Sequence, residues 1–262
     1  MSRMGRVVLV AAAVAASAAA AVPATAGRLP ASLPAGASGA YVVPIVWQGQ
    51  TWTARQSPVA RLGPGGNYWL ATPQTVFTDA SGALHLVASK VAGTWYSVAL
   101  QTTKNNYGYG TYRFVVNTPM DSLDPNAVVG MFTYNAKVFP SRQEADVELS
   151  RWGQPAPTAH NAQWVVQPWQ AAGHMLPFSV PRTTAMTYEF IWKPNVLTFR
   201  ARVGSAANGR IVNTWRTTKA LPGSAQSGTQ VHLNLWFQRH IPPYNGLNQE
   251  VVFQSFSYTP LP

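Results

Sequence analysis

The chain is 262 residues long, carries 19 Lys and Arg against 8 Asp and Glu for a formal net charge of +11, and contains no cysteine. Disulfides, thiolate metal sites and thiol redox chemistry are therefore excluded, and packing must carry the stability. With acids so scarce, any local concentration of them is informative.

The first 26 residues read as an export signal: Arg3 and Arg6, an apolar run from Val7 to Val22, then the small-residue cleavage pattern Ala24-Thr25-Ala26. The run falls short of the ~20 strongly apolar residues of a membrane span, so cleavage before Gly27 and a secreted, extracellular protein are expected, with no span afterwards. Cleavage removes Arg3 and Arg6, leaving seventeen bases against eight acids, a formal +9. Residues 27–40, rich in Pro, Gly, Ala and Ser, are expected to be a flexible tether. Residues 41–262 suit one all-β domain with its own core.

Short β-rich runs follow, separated by turn signals, with no amphipathic helix of ten residues. The expected strands are Tyr41–Trp47, Leu84–Ser89, Trp95–Gln101, Tyr109–Val116, Val128–Tyr134, Glu144–Leu149, Gln163–Gln167, Thr187–Trp192, Leu197–Val203, Val231–Phe237 and Val251–Tyr258. Asp79-Ala-Ser-Gly82, Asp124-Pro-Asn126, Lys193-Pro-Asn195 and Asn208-Gly209 are among the turns between them. That punctuation argues for a sandwich, jelly roll or barrel. Most of the ten Trp, ten Tyr and ten Phe are assigned to the core. Trp152, Trp164, Trp169 and Trp236 lie near polar residues that suit a sugar.

The chemistry concentrates in Gln143-Glu-Ala-Asp-Val-Glu-Leu149, where Glu144, Asp146 and Glu148 alternate along a strand and so share a face. At ~3.3 Å per residue the outer two Cα atoms lie about 13 Å apart, so inward-leaning carboxylates end roughly 5–7 Å apart. Retaining glycosidases place their carboxyls ~5–5.5 Å apart and inverting ones ~6.5–9.5 Å, so the spacing favours retention. Three coupled carboxyls cannot all ionise freely, so at least one holds a proton near neutral pH. An acid beside an ionised carboxylate is what glycoside cleavage requires.

These residues resemble the active-site strand of glycoside hydrolase family 16, Glu-x-Asp-x-Glu. Tyr107-Gly-Tyr-Gly-Thr-Tyr-Arg113, Val129-Gly-Met-Phe-Thr-Tyr134, Tyr188-Glu-Phe-Ile-Trp-Lys-Pro194 and Asn234-Leu-Trp236 resemble further elements of that family, in its order, over roughly residues 45–258. The resemblance implies an all-β, two-sheet antiparallel jelly-roll sandwich with a concave substrate-binding face. It implies Glu144 as nucleophile, Glu148 as acid and then base, and Asp146 as the group tuning the nucleophile. Phe132, Tyr134, Asn135, Trp152, Gln163, Gln167 and Trp236 are implied as cleft residues. No cofactor is implied, although family members often hold a structural calcium ion. Two departures stand out. Ala145 occupies a place usually filled by a large aliphatic residue. Leu100-x-Thr102 stands where lichenase-like members carry a Glu-x-Arg pair for sugar binding.

Other chemistries lack support. There is no Gly-x-Ser-x-Gly elbow for a serine hydrolase, and no glycine-rich loop opening a helix for a dinucleotide. The five His (85, 160, 174, 232 and 240) show no zinc pairing and read as structural or surface residues. Between Glu189 and Glu250 no acid occurs among seven bases, but they match no nucleic-acid motif. The expectation is a monomeric, endo-acting, retaining hydrolase of a polysaccharide, most simply a β-1,3- or β-1,3-1,4-glucan. The alternatives are a carbohydrate-binding protein on the same fold, a transglycosylase and a sulfated-galactan hydrolase.

Overall fold

The computed structural model describes residues 40–155, 160–181, 185–219 and 228–262. The expected export signal, and all but the last residue of the expected tether, lie outside the described residues. The described chain forms sixteen strands: β1 (Ala40–Trp47), β2 (Gln50–Leu62), β3 (Asn67–Trp69), β4 (Val76–Thr78), β5 (Leu84–Val91), β6 (Thr94–Thr102), β7 (Gly110–Val116), β8 (Ala127–Tyr134), β9 (Ala145–Leu149), β10 (Ala162–Val166), β11 (Met175–Phe178), β12 (Met186–Lys193), β13 (Val196–Val203), β14 (Ile211–Thr217), β15 (Gln230–Phe237) and β16 (Gln249–Pro260). Among the described residues there is no α-helix, and none long and apolar enough to cross a membrane.

The strands make the two layers of an antiparallel jelly-roll sandwich. The cleft sheet runs β11-β10-β9-β8-β15-β6-β2-β1. The outer sheet runs β4-β5-β16-β7-β12-β13-β14. The β5–β6 hairpin passes from one layer to the other, and short β3 pairs parallel with β6.

Alternation decides what each strand buries. In β9, Ala145, Val147 and Leu149 point inward at no more than 1 % exposure. In β12, Tyr188, Phe190 and Trp192 point inward while Glu189 lies on the outer face. Trp164 stacks between Phe178 and Phe199, at 4.3 and 5.2 Å between ring centroids, which ties the cleft sheet to the outer one. It is therefore a core residue and not one of the sugar-facing tryptophans. Ala145 gives β9 less apolar side chain to bury than an aliphatic residue would, beside neighbours from both layers.

Every expected strand is present, with ends displaced by no more than two residues. Five strands were not expected: β2, β3, β4, β11 and β14. Pro58 lies inside β2, where the ladder to β3 is interrupted between Ser57 and Leu62, and proline ordinarily argues against a strand interior. The edge strand β14 is largely polar and solvent-facing, so its pattern is weak.

Candidate active site

The cleft face is built from rows of side chains that cross the strands in register. One row runs Gln163 (β10), Glu148 (β9), Gly130 (β8), Asn234 (β15) and Ala99 (β6). The next runs Val165, Asp146, Phe132, His232 and Gln101. Glu144, Gln167 and Tyr134 continue the pattern one step further along their chains. At about 4.8 Å per strand, Asn234 lies some 10 Å across the sheet from Glu148, with only Gly130 between them. A Cβ at Gly130 would crowd the Asn234 amide oxygen, so any side chain there would displace Asn234.

Above these rows lies a cleft of about 700 Å³. Glu144, Asp146 and Glu148 all line it, together with Phe132, Tyr134, Trp152, Gln163, Gln167 and Trp236. Trp152 and Trp236 meet edge to face at 6.2 Å on the Glu148 side. Gly65, in the left-handed region at φ +66°, passes so close to the Trp236 ring that a side chain there would clash. On the Glu144 side, Trp169 is half exposed, and its backbone N–H donates to Gln167 Oε1 at 3.0 Å. Of the expected cleft residues, Asn135 is the exception. It is fully buried beneath the surface, and its amide donates to Gln143 Oε1 at 3.0 Å rather than facing the cleft.

Strand β9 begins at Ala145, one residue later than expected, and a turn positions Glu144. Arg142 and Gln143 both adopt left-handed φ, at 52° and 48°, which non-glycine residues rarely do. A buried polar network holds them there. Thr133 Oγ1 donates to Gln143 O at 2.7 Å and accepts from Ala145 N at 3.3 Å, while Thr229 Oγ1 donates to Gln143 Oε1. Asn135 N donates to Arg142 O at 2.6 Å. Gln167 N donates to Glu144 O at 3.2 Å, which extends the β9–β10 ladder by one residue.

The three carboxyls are held against their own electrostatics. Burial pushes Glu144 up to about 8, helped by the charge of Glu148, while a hydrogen bond from Asp146 opposes the rise. Burial and both glutamates raise Asp146 well above the usual carboxylate range, and its hydrogen bond to Glu144 raises it further. Burial also raises Glu148, against a hydrogen bond from Gln163 Nε2 to its Oε2 at 2.6 Å. Gln167 Nε2 steadies Asp146 Oδ2 at 3.2 Å.

The sequence reading missed several cleft residues. His232, read as structural or surface, stacks on Phe132 at 5.0 Å in the cleft floor. Burial, then the nearby Arg55 charge, pull it down to about 3, so it is neutral at ordinary pH. Its Nε2 and Asn234 Oδ1 are buried without a hydrogen-bond partner among the described residues. Such atoms cost about 1–3 kcal/mol each, a cost that a sugar hydroxyl would offset. Stepping back by two from Trp236 along β15 would have found both residues. Leu100 and Thr102 point away from the cleft, while Ala99 lines it. The expected Glu-x-Arg position thus falls one residue out of phase with the cleft face. Among the described residues no group of three or more His, Asp or Glu could hold a metal ion.

No protein-family model matches the sequence, and no curated protein sequence matches it. Solved structures do match the fold. A Bacillus licheniformis β-glucanase superposes with a TM-score of 0.57 at 17 % identity, covering 79 % of this chain and 91 % of that one. A prokaryotic β-1,3-1,4-glucanase (lichenase) derived from a mouse hindgut metagenome gives 0.58 at 19 %, covering 82 % and 96 %. A LamA variant from Z. galactanivorans, in complex with laminaritriose and laminaritetraose, gives 0.56 at 13 %, covering 79 % and 92 %. The chain has the jelly-roll fold of these glucanases.

Proposed function

We propose that this protein is an exported, endo-acting glycoside hydrolase of family 16 that cleaves internal β-1,3 or β-1,3-1,4 linkages of a glucan with retention. One observation carries the reading: three carboxyls that repel one another line a single cleft, in a protein whose other acids are few. Sites that tolerate such repulsion are ones that use it.

In this mechanism a glucan chain lies across the cleft sheet, with Trp152 and Trp236 offering ring faces to its pyranoses. Glu148, whose burial favours the protonated form, donates its proton to the glycosidic oxygen as that bond breaks. Glu144, once ionised, attacks the anomeric carbon from the opposite side and forms a glycosyl-enzyme. Asp146 donates its hydrogen bond to the Glu144 carboxylate, stabilising the ionised form and later the departing carboxylate. Water then attacks the anomeric carbon, Glu148 takes its proton, and Glu144 leaves with the bonding pair. The aromatic rings flanking the carboxyls on both sides support binding in the middle of a chain, hence endo cleavage.

The test is a panel of laminarin, lichenan, xyloglucan, agarose and carrageenan, with products sized over time and anomers followed by NMR. A ladder of β-anomeric oligosaccharides from laminarin or lichenan is expected. Glu144→Gln and Glu148→Gln should each lower the rate by about 10²-fold or more with unchanged β-sheet circular dichroism. Binding without products would leave a carbohydrate-binding protein, and near-parental activity in both variants would overturn the assigned roles.

A further inference from the structure

Glu189 lies in the middle of the outer sheet, on the face away from the cleft, with its side chain only 3 % exposed. A buried carboxylate needs a cationic partner, and one guanidinium fork supplies two well-placed donors. Here three arginines converge on it: Arg113 from β7 at 3.0 Å, Arg200 from β13 at 3.3 Å and Arg202 from β13 at 3.5 Å. Arg216 of β14 stands beside them, opposite Thr198 on the same face and exposed. Four arginines against one carboxylate give this cluster a formal excess of three positive charges.

That excess is local. Of the other acids whose side chains are described, Glu144, Asp146 and Glu148 are in the cleft, and Asp79 and Glu250 flank His85 at the β5–β16 side. Asp124 is buried and accepts from Asn126 N. Arg113 and Arg200 keep 30 % and 35 % of their side chains exposed, so guanidinium edges remain open to solvent. Adjacent strands lie about 4.8 Å apart, so the four arginines spread over roughly 15 Å from β7 to β14.

We propose that this outer face docks a uronate-bearing polysaccharide. The arginine forks already hold a carboxylate in Glu189, and side-chain hydroxyls of Thr111, Thr198 and Thr214 sit in the same rows for sugar hydroxyls. No aromatic residue stands among the outward positions of β7, β12, β13 and β14 that are described, so neutral sugars and nucleobases find no stacking platform. Duplex DNA carries one charge per ~1.7 Å and favours denser cationic clusters than this one. A polymer with one acid per sugar matches the spread better. The proposal is independent of catalysis in the cleft: it would tether the protein to an acidic matrix while the opposite sheet works on another chain.

Affinity electrophoresis in polygalacturonate, at about 50 and 200 mM salt, reads the interaction directly. Arg200→Gln/Arg216→Gln leaves Arg113 and Arg202 on Glu189, and Lys90→Gln/Lys137→Gln removes the same charge elsewhere. Parental retention that weakens with salt, and falls about tenfold only in the arginine double variant, is expected. Circular dichroism and the rate on neutral glucan should not change. No retention of the parent, equal losses in both double variants, or tighter binding to duplex DNA than to polygalacturonate at equal salt would each overturn the proposal.

Discussion

Glu144 carries an electrostatic cost that can be measured without a substrate. Its carboxyl ordinarily titrates near 4.5 and is pushed up to about 8 in the folded protein. Between those values the folded state binds more protons than the unfolded one, so stability falls as pH rises through the window. Below it the group costs nothing, and above about 8 the cost is fully present. Glu144→Gln removes the ionisation and keeps the shape. The variant should match the parent at pH near 4 and exceed it by about 1–3 kcal/mol at pH 8–9, raising Tm by several degrees. Thermal melts at the two pH values decide it, and a variant no more stable at alkaline pH would show that the carboxyl is not under strain. His232 and Asn234 follow the same logic in neutral form: polar atoms left unpaired in a cleft floor are a poor way to stabilise a fold and a good way to read a hydroxyl.

The turn before β9 is the element that sets the nucleophile candidate. Alternation along Glu144–Leu149 was legible in the sequence, and it correctly grouped the three carboxyls on one face. The two left-handed residues ahead of Glu144 were not legible, because neither Arg142 nor Gln143 is a residue that signals positive φ. What fixes them is Thr133 in β8, Asn135 just after that strand and Thr229 just before β15, which strand pairing brings together. Gln143→Ala would remove the side-chain acceptor that Asn135 and Thr229 share and loosen the turn, at a stability cost of about 1–3 kcal/mol. If the turn aims Glu144, kcat should drop about 10–10²-fold with KM little changed, since misplacement affects the transition state more than binding. A purely structural role would lower stability and leave kcat alone. Asn135 shows the limit of motif reading: the family resemblance implied a sugar contact there, and its bonds to Arg142 and Gln143 make it a support beneath the surface.

At the scale of the molecule, Trp164 joins the layers. It leaves β10 on the side opposite Gln163 and Val165, stacks on Phe178 and Phe199, and donates its indole N–H to Asn213 Oδ1 at 2.7 Å. Trp164→Ala should cost about 3–5 kcal/mol, seen as a lower denaturant midpoint with a similar m-value. A loss below about 1 kcal/mol would mean that the two layers are held together elsewhere. The sequence by itself determined the all-β architecture, the positions of eleven strands and the shared face of Glu144, Asp146 and Glu148, because residue periodicity is a local property of the chain. Tertiary structure alone decided which strands neighbour one another, and so which side chains share a row. That placed His232 and Asn234 in the cleft floor, hid Asn135, sent Trp164 to the core and gathered the outer-face arginines around Glu189. Register between strands far apart in sequence is settled by the packing of both faces at once, and no local pattern records it.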